Sequence, residues 1–126
     1  MELGQEYTRE DQKAPSEVML IDRMFGNTAL GGVMVDVGAH YGGTSSIFAR
    51  RGWKIVAFEP DPENRKPLIE RYKDAPDVII DPRAVSDHAE AARPFYASDV
   101  STGISGLSSF HATHHEVGTV AVTTLG

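Results

Sequence analysis

The stretch that most constrains this chain is VMVDVGAHYGG, residues 33–43. A brief β-branched run, with no polar alternation before Asp36, has the signature of a strand buried on both faces in a parallel sheet. It feeds a turn holding Gly38, Gly42 and Gly43. Residues 44–51, with Ile47 and Phe48 apolar and Gly52 after them, then read as a helix closed by its C-terminal glycine. The unit repeats. Residues 53–58 form a second apolar strand ending on Glu59-Pro60, and Asp61-Pro62 supplies a helix cap and a first-turn proline for a charged helix to about residue 73. Pro67, inside that segment, predicts that the regular helix begins later than its cap. Residues 77–81 make a third strand. Strand, helix, strand, helix, strand argues for a doubly wound α/β sheet with right-handed crossovers.

The chain's 126 residues allow one domain with a single core. With 40% hydrophobic and 24% charged residues, the composition is that of a folded globular protein rather than a disordered or membrane chain. Twelve basic against eighteen acidic residues give a net charge of -6, which argues against nucleic acid as a partner. Cysteine is absent, which excludes disulfides and thiolate zinc sites. The start, MELGQEYTRED, lacks the order of a signal peptide, and no apolar run approaches the roughly 18 residues of a membrane span. The expectation is a cytoplasmic protein with no membrane contact.

Residues 1–14 read as an N-terminal arm and 15–126 as the domain. Within 17–30, Val18, Ile21, Met24 and Phe25 recur at helical steps before a Gly26-Asn27 stop. Beyond the third strand the pattern loosens. Residues 93–97 and 117–125 read as strands, and SDVSTGISGLSSFHATHH between them as a long loop of the kind that lies over binding sites.

In a doubly wound sheet, ligands settle beyond the carboxyl ends of the strands, beside the first strand-to-helix turn. Here that turn is residues 38–43. Its glycines permit unusual backbone angles and close approach of a ligand, and the N–H groups at the helix start can hold an anionic end. The spacing is a poor match to G-x-G-x-x-G. A tight turn with nothing bound is the competing reading. Glu59 sharpens the functional one: it ends strand two, where a carboxylate can accept hydrogen bonds from both hydroxyls of a ribose and repels a 2′-phosphate. Asp36 indicates which nucleoside. An acid just before the loop is unhelpful to a pyrophosphate but tolerated by the sulfonium and ammonium of S-adenosylmethionine.

The joined pattern V-D-V-G-A, A-F-E-P-D-P-E-N and A-V-S-D, ending in VAVTTL, resembles the FkbM-type S-adenosylmethionine-dependent methyltransferases over residues 33–125. The resemblance implies the Rossmann-like class I methyltransferase fold and O-methylation of small-molecule or glycan-like acceptors. By the same resemblance Asp36, Gly38 and Ala39 form the loop beside the methionine part of the cofactor, with His40 and Gly42 in the same turn. Glu59 holds the ribose, Pro60 and Asp61 shape the adenine side, and Ala84, Val85 and Ser86 line the adenine further along. His40 departs from the asparagine common in that family. So does the place where the chain stops: relatives continue into a D-x-E-G-type motif and further strands. The expectation is therefore a domain truncated after three parallel strands plus irregular β segments, with the free edge of strand one covered by a second copy or a partner chain.

For methyl transfer, a general base is not assigned by the sequence; His111, His114 and His115 in the long loop are the candidates. Their H-x-x-H-H spacing with Glu116 also raises a metal reading, against which stands a solvated histidine-rich loop; the expectation is no metal. Two other classes stay open: a non-catalytic binding or assembly module, and an NAD-dependent oxidoreductase, which His40 and Asp36 disfavour.

Overall fold

A computed structural model describes residues 19–21, 23, 24, 32–98, 105–109 and 112–126. Its elements are β1 (Val33–Val37), α1 (Gly43–Arg50), β2 (Lys54–Phe58), α2 (Pro62–Arg71), β3 (Val78–Asp81), β4 (Ala84–Val85), β5 (Glu90–Ser98) and β6 (His114–Thr123). Residues 19–21, 23 and 24 are helical; the N-terminal arm, Val18, Phe25 and the Gly26-Asn27 stop lie outside the described residues.

The fold is Rossmann-like α/β. β1, β2 and β3 form a parallel sheet in the order β1-β2-β3, with Val35, Val56 and Ile79 in one cross-strand row and Asp36, Ala57 and Ile80 in the next. Because side chains alternate along a strand, these rows face opposite sides. Met34, Ile55, Ala57, Val78 and Ile80 pack with Ile47 and Phe48 of α1 and with Leu68 and Tyr72 at the end of α2. Ile55, Ala57, Ile47 and Leu68 are fully buried there.

Both helices, and Ile21, cover this one face, whereas a doubly wound sheet has helices on both. Among the described residues the other face is open along β1 and at Ile79: Val33, Val35, Val37 and Ile79 are 61%, 47%, 51% and 62% exposed, whereas Phe58 on the same side is 7% exposed. The apolar character that suggested burial on both sides is present, but on this side the described elements cover only the carboxyl end of β2. β1 also pairs with β2 alone, leaving its other edge free among the described residues.

Local chemistry sets the helix ends. α1 ends in a Schellman motif: Trp53 N donates to Phe48 O at 3.1 Å and Gly52 N to Ala49 O at 3.1 Å, with Gly52 at φ +83°. The apolar contact that accompanies such a motif is Trp53 on Phe48, edge to face with ring centroids 5.3 Å apart. α2 begins at its cap, because the Asp61 carboxylate accepts from Glu63 N at 2.9 Å and Arg65 N bonds Asp61 O at 2.9 Å. Pro67 does not delay the helix as expected. It removes one internal N–H, and the capped first turn is already closed before it.

The last third is more regular than its composition suggested. β5 and β6 pair antiparallel, and β4 adds in parallel on the far side of β6, giving a second sheet in the order β4-β6-β5. Register shifts between Glu90 and Arg93 and between Phe95 and Tyr96 interrupt the β5–β6 ladder. Pro94 is accommodated because β5 is an edge strand.

Candidate functional site

The carboxyl ends of β1 and β2 open into one turn region. After β1 the chain reverses through three residues with positive φ: Gly38 at +73°, His40 at +55° and Gly42 at +85°. Position 40 is the only non-glycine of the three. Histidine and asparagine are among the side chains that tolerate the left-handed region, which gives a physical reason for either at this position. Gly38 N and Ala39 N both donate to Phe58 O, at 2.9 and 3.0 Å, so the turn is held to the end of β2.

Glu59 ties the region together. It is 4% exposed, and its two carboxylate oxygens accept from different segments: Oε1 from His40 N at 2.7 Å and Oε2 from Asp61 N at 2.9 Å. The contact with residue 40 is thus made by its backbone N–H. Burial pushes the Glu59 carboxyl above its ordinary value, and the N–H donors of Asp61 and His40 pull the other way. Arg65 Nη1 donates to Glu59 O at 2.9 Å and Pro60 O at 3.1 Å, fixing the backbone that leaves the acid.

A cavity of about 570 Å³ lies against this carboxylate, within the range of small-molecule sites. Gly38, His40, Glu59 and Pro60 form one side. Ala84 and Val85 of β4 and Phe95 of β5 form the other. Ser105, Gly106 and Leu107 complete the lining. Its polar lining residues are His40, Glu59, Asn64 and Ser105, and among the described residues no lysine or arginine lines it.

Six of the residues singled out in the sequence therefore share this cavity: Gly38, His40, Glu59, Pro60, Ala84 and Val85. Five do not line it. Ser86 follows β4, its N–H donating to Thr123 O at 3.0 Å and its hydroxyl to Asp87 Oδ1 at 3.1 Å. Ala39 is in the core, 5% exposed. Gly42 abuts α2, where a Cβ would lie 2.9 Å from Leu68 Cδ1 and 3.1 Å from Tyr72 Cε2. Asp61, 3% exposed, acts through its side chain on Glu63 N and on Ser105, whose hydroxyl donates to Asp61 Oδ2 at 2.9 Å.

Asp36 is the correction with most consequence. Alternation along β1 turns it under α1, toward Ser45, and not into the cavity. Its Oδ2 is buried with no hydrogen-bond partner. Burial raises its carboxyl above the usual value, against the lowering effect of Ser45. Ser45 in turn lies 2.6 Å from the Tyr72 hydroxyl, a buried polar cluster beneath the glycine turn. The charge argument built on Asp36 therefore does not apply at the cavity wall.

The histidines are also placed differently from expectation. His114 and His115 are consecutive residues of β6, opposite Ser98 and Ala97, and so point to opposite faces; a shared helical face does not exist there. His111 lies outside the described residues. No group of three or more His, Asp or Glu side chains converges among the described residues.

Sequence reasoning missed Asn64 and Phe95; residues 105–107 belong to the long loop expected over a binding site, within which no single residue had been marked as lining it. Asn64, 2% exposed, is the third residue of α2, and its place one turn after the Asp61 cap was a usable signal. Phe95 and residues 105–107 reach the cavity through the β5–β6 pairing and the Gly106–Tyr96 bridge, which no local pattern announces.

No family model matches the chain, and no curated protein matches it. Solved structures similar to it include an Anabaena variabilis protein described as a methyltransferase from an antibiotic biosynthesis pathway, at 28% identity and TM-score 0.45, over 55% of this chain and 26% of that one. A second, from Galdieria sulphuraria, is described as a sarcosine dimethylglycine methyltransferase, at 18% identity and TM-score 0.45, over 60% of this chain and 33% of that one. A third is the glycopeptide N-methyltransferase MtfA complexed with sinefungin, at 20% identity and TM-score 0.41, over 60% and 33%. The chain spans about a quarter to a third of the length of these structures.

Proposed function

We propose that this domain binds S-adenosylmethionine and serves a methyltransferase acting on a hydroxyl of a small-molecule or glycan-like acceptor. The observation that carries the reading is the buried Glu59 carboxylate at the end of β2, bonded to the N–H of His40 and walling the cavity. A carboxylate oxygen has two lone pairs, so each Glu59 oxygen can accept from a ribose hydroxyl while keeping its backbone donor. Ala84, Val85 and Phe95 offer an apolar surface for a purine. Among the described residues no lysine or arginine lines the cavity; this disfavours a pyrophosphate, which needs neutralising, and suits a cationic sulfonium. That argument replaces the one from Asp36 and weighs against an NAD-dependent oxidoreductase.

Bound there, S-adenosylmethionine supplies an already activated methyl group. The chain's own contribution is then orientation and exclusion of water. Glu59 fixes the nucleoside, the Gly38 turn leaves room for close approach, and residues 105–107 complete the wall. No side chain is assigned as the base.

Calorimetry with S-adenosylhomocysteine, S-adenosylmethionine and NAD tests this. Binding of the first two but not NAD supports it. Glu59→Gln, which keeps one acceptor for the backbone amides, should weaken binding about tenfold or more, the scale of hydrogen bonds to a charged group. Binding of NAD alone, or unchanged affinity in Glu59→Gln, contradicts it. A second reading, a non-catalytic assembly module, is favoured by the bare valine face and free edge of β1; it predicts no binding of the three ligands and association in sedimentation. Among the described residues no helix is long and apolar enough to cross a membrane.

A further inference from the structure

Residues 105–107 line the cavity and are held at two points. Gly106 exchanges a pair of backbone hydrogen bonds with Tyr96 of β5, each 2.9 Å. Ser105 donates its hydroxyl to Asp61 Oδ2 at 2.9 Å, across 44 positions of sequence. The first contact anchors the segment to the second sheet. The second anchors it to the first.

Asp61 is an unusual partner for a loop residue. It is 3% exposed, its other oxygen caps α2, and its own N–H donates to Glu59 Oε2. Glu59 Oε1 accepts from His40 N. One continuous chain of hydrogen bonds thus runs from the glycine turn, through the cavity carboxylate and the α2 cap, to the 105–107 segment. Within that chain the Ser105 contact is the one that joins the two sheets. It is also the easiest to break, because Asp61 keeps its capping role without it.

We propose that Ser105 is a positioning residue: its bond to Asp61 latches residues 105–107 against the cavity, and a bound nucleoside leaves only when that latch opens. This rests on the nucleoside reading of the cavity. The latch sets how long the ligand stays, since Gly106 and Leu107 are half-buried residues of the cavity wall that move with it. It does not set the fold, since neither Asp61's cap nor the Gly106–Tyr96 bridge requires the hydroxyl.

The test is stopped-flow dissociation of S-adenosylhomocysteine from wild type, Ser105→Ala and Ser105→Thr, with thermal unfolding and amide hydrogen exchange of the ligand-free proteins. Ser105→Ala should release the ligand about tenfold faster, the scale of losing a hydrogen bond to a charged acceptor, and should also speed association, since a latch that opens for exit opens for entry. Ser105→Thr, which keeps the hydroxyl, should restore slow release. The Gly106 amide should exchange faster in Ser105→Ala, while the unfolding midpoint should fall no further than the loss of a single hydrogen bond allows. Unchanged dissociation and exchange in Ser105→Ala overturn the latch and leave the cavity reading standing. Equally fast release from Ser105→Thr also overturns it. Failure of wild type to bind overturns the cavity reading itself, and with it this role for Ser105.

Discussion

Gly42 and Gly52 share a backbone conformation but not a neighbourhood, and substituting each by alanine isolates what packing adds. Both are left-handed, at φ +85° and +83°. An alanine there costs about 1–2 kcal/mol from the contact of Cβ with the following carbonyl. At Gly52 nothing lies within 4 Å of the new Cβ, so that strain is the whole expected loss. At Gly42 the Cβ falls 2.9 Å from Leu68 Cδ1 and 3.1 Å from Arg71 Cδ and Tyr72 Cε2. Leu68 is fully buried and the Tyr72 ring nearly so, which denies them an easy exit. Forcing a methyl into such a site adds about 1–3 kcal/mol, for a total near 2–5 kcal/mol. Against a typical stability of about 5–15 kcal/mol, Gly42→Ala sits close to unfolding. The gain from restricting the unfolded chain is the same for both variants and cancels in their difference. Urea denaturation, read as midpoint at constant slope, measures it. Gly42→Ala no less stable than Gly52→Ala refutes the claim that α2 presses on the glycine turn.

Asp36→Asn should be more stable than wild type at pH 7. Burial raises the folded Asp36 carboxyl above the unfolded value of 3.8, so the folded chain holds this proton more tightly. The stability it costs is present above the folded value and vanishes below the unfolded one; the gap between variant and wild type should close as pH falls toward 3.8, and denaturant melts across pH showing a constant or reversed gap contradict this. Tyr72→Phe removes the partner 2.6 Å from the Ser45 hydroxyl and should cost about 1 kcal/mol in urea melts. Asp61→Ala should cost about 1 kcal/mol as a lost helix cap and should also speed amide exchange at Gly106, which a purely local capping role would leave alone.

Much of the first sheet was legible because its signals are local. Gly52 marked the end of α1 through a motif completed within six residues, and Asp61-Pro62 marked the start of α2 at the residue where the cap forms. Glu59 was readable as an acid closing an apolar strand. Asp36 was not, because valines on one side of β1 and Met34 on the other are all apolar, and the pattern did not show which row α1 would cover. The second sheet was hidden for a different reason. Its pairing joins residues distant in sequence, such as Phe95 with Gly118 and Ala84 with Val122, and a serine- and glycine-rich intervening sequence conceals that it bridges back to Tyr96.

The central claim is that the hollow beside Glu59 receives a nucleoside. Backbone amide shifts on titration with S-adenosylhomocysteine test it most directly, residue by residue. The account predicts movement at Gly38, His40 and Asp61 around the carboxylate and at Val85 on the opposite wall, with Val33 and Ile79 on the bare sheet face unmoved. Shifts confined to the bare face, or no shift at His40 and Asp61, contradict it.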